Sequence, residues 1–259
     1  MLLEKKNAVI YGAGGAVGGA VARAFAREGA RVFLTGHTQT PLDIVARDIA
    51  QAGGVAETAQ VDALDQQAVE RHLAGVVQRA GSIDITFNAI SIGYQQGQFL
   101  TEMPLEAFTL PIAEAMRTQF VTTTTAARHM MRQRAGVILA ISATPARQPI
   151  PRTGNFGMAC AAIESLCRQL AGELGPHGIR VICLRSAGSA EVLQEVFAEL
   201  GAQLGISAAA FEARLVEQTL LKRLTTLVEF ANAAALMASD YASAITGEVA
   251  NVTCGATVD

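Results

Sequence analysis

Lysine is nearly missing from this chain: of its 20 basic residues, 17 are arginine and only Lys5, Lys6 and Lys222 are lysine. No lysine ammonium therefore exists between residues 7 and 221. Tyrosine is as sparse, at Tyr11, Tyr94 and Tyr241. Charge is also low, at 17% of residues, and the net charge of −3 leaves no electropositive footprint for nucleic acid. No membrane span is expected, because the longest uncharged stretch, residues 85–101, is interrupted by Asn88, Gly93, Gln95, Gln96, Gly97 and Gln98. The first apolar run, residues 7–12, is too short for the core of a secretory signal. Cys160, Cys167, Cys183 and Cys254 lack metal-ligand spacing and read as reduced thiols, so no metal is expected and the cytoplasm is the expected compartment.

What the chain does have is apolar residues, 51% of its 259, enough for one well-covered core. Short apolar runs at 8–11, 31–34, 55–60, 83–88, 137–142, 180–184 and 249–252 read as strands. Amphipathic stretches at 17–28, 41–52, 66–80, 114–133 and 156–174 alternate with them and read as helices. This alternation predicts an α/β fold: one doubly wound domain over residues 1–259, with about seven parallel strands and helices on both faces. Residues 189–221 break the rhythm, being Ala-rich and helical, and are expected to form a lid or insertion on the substrate side.

Between the first strand and first helix the chain reads Tyr11-Gly12-Ala13-Gly14-Gly15-Ala16-Val17-Gly18. Small residues let a backbone approach a pyrophosphate, and the helix start supplies free N–H groups and a positive dipole end. Strand, glycine turn and helix together predict dinucleotide binding.

These residues resemble the Thr-Gly-x-x-x-Gly-x-Gly turn of the short-chain dehydrogenase/reductase family, with Tyr11 for threonine and Ala16 for the middle glycine. Further resemblances follow in the same order as in that family. Asp62 and Ala63 stand where the family contacts adenine, and residues 84–91, including Asn88, Ala89 and Ile90, resemble its Asp-x-Leu-Val-Asn-Asn-Ala-Gly strand. Residues 175–181 and the segment from Leu221 to Gly255 resemble its later landmarks. The resemblance covers essentially the whole chain. It implies a Rossmann-type fold, a nicotinamide cofactor held by Gly12, Gly14, Gly15, Ala16, Val17, Gly18, Asp62, Ala63, Asn88, Ala89 and Ile90, and a homotetramer or homodimer. The second strand ends Leu34-Thr35-Gly36-His37-Thr38 without a carboxylate, and resembles NADP-binding relatives with His37 in place of arginine. NADP is thus expected over NAD, with His37 and Thr38 near its 2′-phosphate. As an exposed loop histidine, His37 also needs no such role.

The family's chemistry uses a tyrosine as acid/base, a lysine four residues later that lowers its pKa, a serine about 13 residues upstream and an asparagine on the preceding helix. Aligning the helix that carries Ala161-Ala162-Ile163-Glu164-Ser165-Leu166 puts Phe156 at the tyrosine and Cys160 at the lysine. Ala143 then falls at the serine and Ala115 at the asparagine, so none of the four roles is intact. Enoyl reductases of the superfamily space tyrosine and lysine more widely, and residues 91–94 resemble a stretch in them. No register rescues the pair, since no tyrosine occurs between residues 95 and 240 either. Ser142, Thr144 and Tyr94 are the possible substitutes; each also reads as an ordinary structural residue. Arg147 and Arg152 could meet an anionic substrate or be solvated loop charges, and Cys160 reads as an inert buried thiol rather than a reactive one. His129 sits near a helix C-terminus, where positive charge is favoured, and is assigned no chemistry.

Three readings remain open: a divergent NAD(P)-dependent oxidoreductase acting on a small carbonyl, alcohol or enone without the Tyr/Lys relay; a catalytically silent NAD(P)-binding sensor or partner subunit of an active paralogue; or a protein that binds neither nucleotide, since Ala16, His37 and Ser186-Ala187-Gly188 in place of the family's Pro-Gly weaken the site. No substrate beyond an unidentified small molecule is indicated.

Overall fold

Strands buried on both faces carry unbroken apolar runs, and the centre of the sheet follows that rule. In the computed structural model, which describes all residues except 92, 94–96 and 259 and the side chains of 195 and 203, the seven strands are parallel. They are β1 (Asn7–Tyr11), β2 (Arg31–Gly36), β3 (Val55–Gln60), β4 (Ile85–Asn88), β5 (Gly136–Ala143), β6 (Ile179–Ser186) and β7 (Val249–Val252). Their order is β3-β2-β1-β4-β5-β6-β7. All four residues of β4 are buried, whereas β3, at the edge, mixes Glu57, Thr58 and Gln60 with alanines and stays partly exposed.

The helices are α1 (Ala16–Arg27), α2 (Gln39–Gln51), α3 (Gln66–Ala80), α4 (Leu105–Gln133), α5 (Phe156–Leu174), α6 (Ala190–Gln203), α7 (Ala208–Gln218) and α8 (Leu227–Ala238). One core layer packs Val21, Phe25, Leu42, Ile49 and Phe230 of α1, α2 and α8 against the sheet. The other packs Val69, Leu73, Met130, Ile163 and Leu170 of α3, α4 and α5 against the opposite face. Both layers belong to one doubly wound domain, as the alternation predicted. Two helix starts are secured locally: the Asp65 carboxylate accepts from the N–H groups of Gln67 and Ala68, and Thr226 and Glu229 form a reciprocal capping box.

One boundary differs from the expectation by more than two residues. Helix α4 begins at Leu105, nine residues before the predicted start at 114, and contains Pro111. A proline inside a helix removes one N–H and leaves the carbonyl four residues back without its partner. Here the fully buried Asn155, which caps α5, donates its amide to the carbonyls of Ala107 and Phe108, both at 2.9 Å. The freed acceptor is satisfied from across the fold, so the helix continues.

His72 on α3 is mostly buried, and its Nδ1 has no partner among the described residues. Burial, reinforced by Arg79 and opposed by Glu57, pushes its pKa down from 6.5 to about 4. The unfolded chain binds a proton below pH 6.5 that the folded chain refuses until about 4, so this stability is lost as pH falls through that window. Urea unfolding at pH 7.5 and 4.5 should show about 2 kcal/mol less acid loss in His72→Leu than in the parent. An unchanged loss would contradict the assignment.

Candidate functional site

The chain leaves β1 toward β2 and β3 on one side, then returns to β4 and β5 on the other. This reversal opens a crevice at the carboxyl ends of β1 and β4, the usual ligand position in doubly wound sheets. The turn after β1 depends on two glycines. Gly12 has φ of +72°, and a Cβ there would lie 2.7 Å from the Ala89 carbonyl oxygen; one at Gly18 would lie 2.3 Å from the Gly12 oxygen. Helix α1 starts behind this turn with Gly15 at its cap and no side-chain cap bond, so its first N–H groups are left for a ligand.

Two adjoining cavities occupy the crevice. A cleft of about 370 Å³ is lined by Tyr11, Gly12, Gly15, Gly36, His37 and Ala63, among others. A second cavity of about 290 Å³ lies over the ends of β5 and β6, beneath α6 and α7. Ala89, Ile90 and Ser91 line both, so the two are continuous. A larger concavity of about 830 Å³ sits at the amino ends of β1, β2 and β3, where surface pairs such as Arg23–Asp48 lie; it is remote from this crevice.

Of the residues expected at a cofactor, Gly12, Gly15, His37, Ala63, Ala89 and Ile90 line the cleft, and Val17 lines the second cavity. Gly14 packs toward Pro41, and Ala16 is exposed in the first turn of α1. Thr38 caps α2, and Asp62 lies 3.6 Å from His37 Nε2 while accepting from the Leu64 N–H. Asn88 lines neither cavity. Its amide donates to Thr122 Oγ1 and its carbonyl oxygen accepts from the Ile90 N–H, so it braces the loop that the two cavities share.

Tyr11 was legible only as an oddity in the motif. In the structure its hydroxyl is buried without a partner among the described residues, at the wall of the cleft. Burial pushes the phenol well above its usual value, so it stays a neutral donor. The glycine-shaped cradle and the free helix N–H groups suit the pyrophosphate of a dinucleotide, and the buried Tyr11 hydroxyl is a polar group left without a described partner beside them.

At the second cavity, Ala143, Phe156 and Cys160 all line the wall, and Ala115 lines the cleft. Burial pushes the Cys160 thiol up to about 12, so it is neutral and supplies no positive charge. Ser142 is committed elsewhere. Its hydroxyl donates to Glu164 Oε1 at 2.7 Å, and that carboxylate is held by the Arg185 guanidinium at 2.8 and 3.0 Å, all three residues being 2–3% exposed. Thr144 Oγ1, by contrast, has no hydrogen bond to a described residue and faces the cavity. Tyr94 lies outside the described residues.

Neither Arg147 nor Arg152 lines the cavity, contrary to the anionic-substrate reading; Arg152 donates to the Gly97 carbonyl and stacks over Phe99. His129 is also corrected. Burial, then Arg132 and Arg128, lower its pKa, so positive charge there is disfavoured despite the nearby helix end. The Glu164–Arg185 pair was missed, although an arginine inside an otherwise apolar strand signals a buried partner.

The fold and crevice define an α/β protein of the doubly wound, Rossmann-like class. Residues 12–257 match the family described as Enoyl-(Acyl carrier protein) reductase. The chain is 29% identical over 255 residues to the short-chain reductase protein NovJ of Streptomyces niveus, covering 97% of this chain and 94% of that one. It is 29% identical to the L-rhamnose 1-dehydrogenase (NAD(P)(+)) of Azotobacter vinelandii, covering 95% and 94%. Over 180 residues it is 31% identical to the L-xylulose reductase of Bos taurus, covering 69% and 70%. Among solved structures, an NAD+-bound xylitol dehydrogenase shares the fold with a TM-score of 0.91 at 22% identity, covering 98% of this chain and all of that one. The chain belongs to the short-chain dehydrogenase/reductase family of oxidoreductases. Among the described residues, no helix is long and apolar enough to cross a membrane.

Removing one partner of a buried ion pair strands the other charge. Glu164→Gln should lose about 3 kcal/mol in urea unfolding, whereas Glu164→Met with Arg185→Met should recover most of it. Equal losses in the single and double variants would show that the charge pairing is not what matters.

Proposed function

We propose that this chain is an NAD(P)-dependent oxidoreductase that moves a hydride between a nicotinamide nucleotide and a small carbonyl, alcohol or enone, without a Tyr/Lys relay. The observation that carries this reading is the continuity of the nucleotide cleft with a second cavity through Ala89, Ile90 and Ser91. Relatives that are dehydrogenases and reductases, one with NAD(P)(+) in its name, support it. When bound, the dihydronicotinamide supplies the hydride. The chain's part is to orient the carbonyl, with Thr144 donating to its oxygen, while water gives the proton that completes the alcohol. Gly12, Gly15 and Val17 would hold the nucleotide, and Tyr11 its adenosine end.

NADP is proposed over NAD because β2 ends without a carboxylate and His37 is exposed at that point. Asp62 already faces His37, so the preference is modest. The free thiols support a cytoplasmic location. A homotetramer or homodimer is proposed through α4 and α5, since Leu105, Leu110 and Phe120 leave apolar surface exposed on α4. Light scattering after size exclusion should then give a particle of at least twice the monomer mass; a monomer would overturn that assembly.

The second reading, a silent nucleotide-binding sensor or partner subunit, is favoured by one observation: the neutral Cys160 and the committed Ser142 leave few groups for proton transfer. Titration with NADPH and NADH, followed by turnover on a carbonyl panel, separates the two. Binding of NADPH about three- to tenfold tighter than NADH, with slow turnover, is expected. Binding without turnover selects the silent reading, and no binding of either overturns both. Phe156→Tyr with Cys160→Lys should raise carbonyl reduction at least tenfold, within the usual range for a positioned acid/base.

A further inference from the structure

Among the described residues, the second cavity has no Asp, Glu, Lys, Arg or His side chain in its wall. Its roof is Leu193, Val196, Phe197, Leu200, Phe211 and Leu215 of α6 and α7. Its floor is Ile141, Ala143, Phe156 and Ile163. Five residues with hydroxyl groups reach it, and two of those protons are already committed: Ser142 donates to Glu164, and Thr153 donates to the Ile150 carbonyl at 2.9 Å. Ser186 Oγ accepts from the Gly188 N–H at 2.9 Å and keeps its own proton to donate. Ser91, at the exposed junction with the nucleotide cleft, Thr144, buried beside β5, and Ser186 are the donors that remain among the described residues.

From this balance we infer that the cavity takes a neutral, mainly apolar carbonyl compound, such as a medium-chain or aryl ketone or enone, and rejects sugars, polyols and carboxylates. As a substrate assignment it rests on the oxidoreductase reading above. The physical reason is the count of uncommitted partners. A ketone brings one acceptor, which Thr144 can satisfy, and buries its hydrocarbon against the roof and floor. A polyol brings several hydroxyl groups, each of which must keep a hydrogen bond on leaving water, and three separate side-chain hydroxyls serve them poorly. A carboxylate needs a cation, and Arg185 lies beneath the cavity bonded to Glu164, while Arg152 points to Gly97. The cavity thus departs from the polyol and sugar names carried by several relatives.

Ligand-observed saturation-transfer NMR on the full chain tests this with 2-nonanone, benzylideneacetone, nonanoate and xylitol, each with and without NADP+. The ketone and the enone should compete for one site. Nonanoate, of the same chain length as 2-nonanone, should bind at least tenfold more weakly, and xylitol should give no transfer. Val192→Asp places a carboxylate at the cavity mouth, where the parent side chain is already 41% exposed in the first turn of α6 and an acidic residue is tolerated. It should weaken 2-nonanone at least fivefold, while Glu199→Gln on the solvent side of α6 should not. Nonanoate or xylitol binding as tightly as 2-nonanone would overturn the inference, as would an unchanged affinity in Val192→Asp. If no nicotinamide nucleotide binds but the ketone does, the oxidoreductase reading fails and the ligand class stands. If the nucleotide binds and neither ketone nor enone does, the reverse holds.

Discussion

The crevice exists because two backbones touch where side chains would keep them apart. Gly12 approaches Ala89 across the split between β1 and β4, and Gly18 closes the first turn of α1 onto the Gly12 carbonyl. With any side chain at either glycine, α1 would be displaced from the sheet and its free N–H groups would no longer face the crevice. The same contact fixes the loop from Ala89 to Ser91, which Asn88 braces from behind. Since that loop lines both cavities, the two are positioned by one piece of backbone.

Beneath the second cavity, charge is present but turned inward. The Glu164 carboxylate takes hydrogen bonds from Arg185 and Ser142. A buried pair of this kind costs desolvation on both sides and is retained only with good geometry. Its consequence for chemistry is subtraction. Ser142 becomes a structural donor, Cys160 stays a neutral thiol, and the described wall that remains is mostly hydrocarbon with a few hydroxyl groups.

Much of the architecture could be read along the chain. Both α3 and α5 lie where their periodicity placed them, and the seven strands fall on the apolar runs. The start of α4 could not, because Pro111 argues locally against a helix and its remedy, Asn155, is 44 residues away. The glycine turn was legible as a nucleotide motif because its chemistry is local. The duties of Asn88 and Ser142 were not, since each depends on a partner more than 20 residues distant. The basic side chains show the same limit at Arg152, whose direction is decided by the Gly97 carbonyl 55 residues away.

The sequence by itself determined that no lysine ammonium can serve the crevice, because none exists between residues 7 and 221 and no fold can supply what the inventory lacks. It also determined the alternation of strand and helix, which rests on local periodicity. Only the tertiary structure decided that, among the described residues, the second cavity has no charged side chain in its wall and that Ser142 is committed to Glu164 while Thr144 Oγ1 has no hydrogen-bond partner. Hydrogen bonds are exclusive and burial is collective. Which donor is left over depends on every neighbour that packs around it, and those neighbours come from distant parts of the chain.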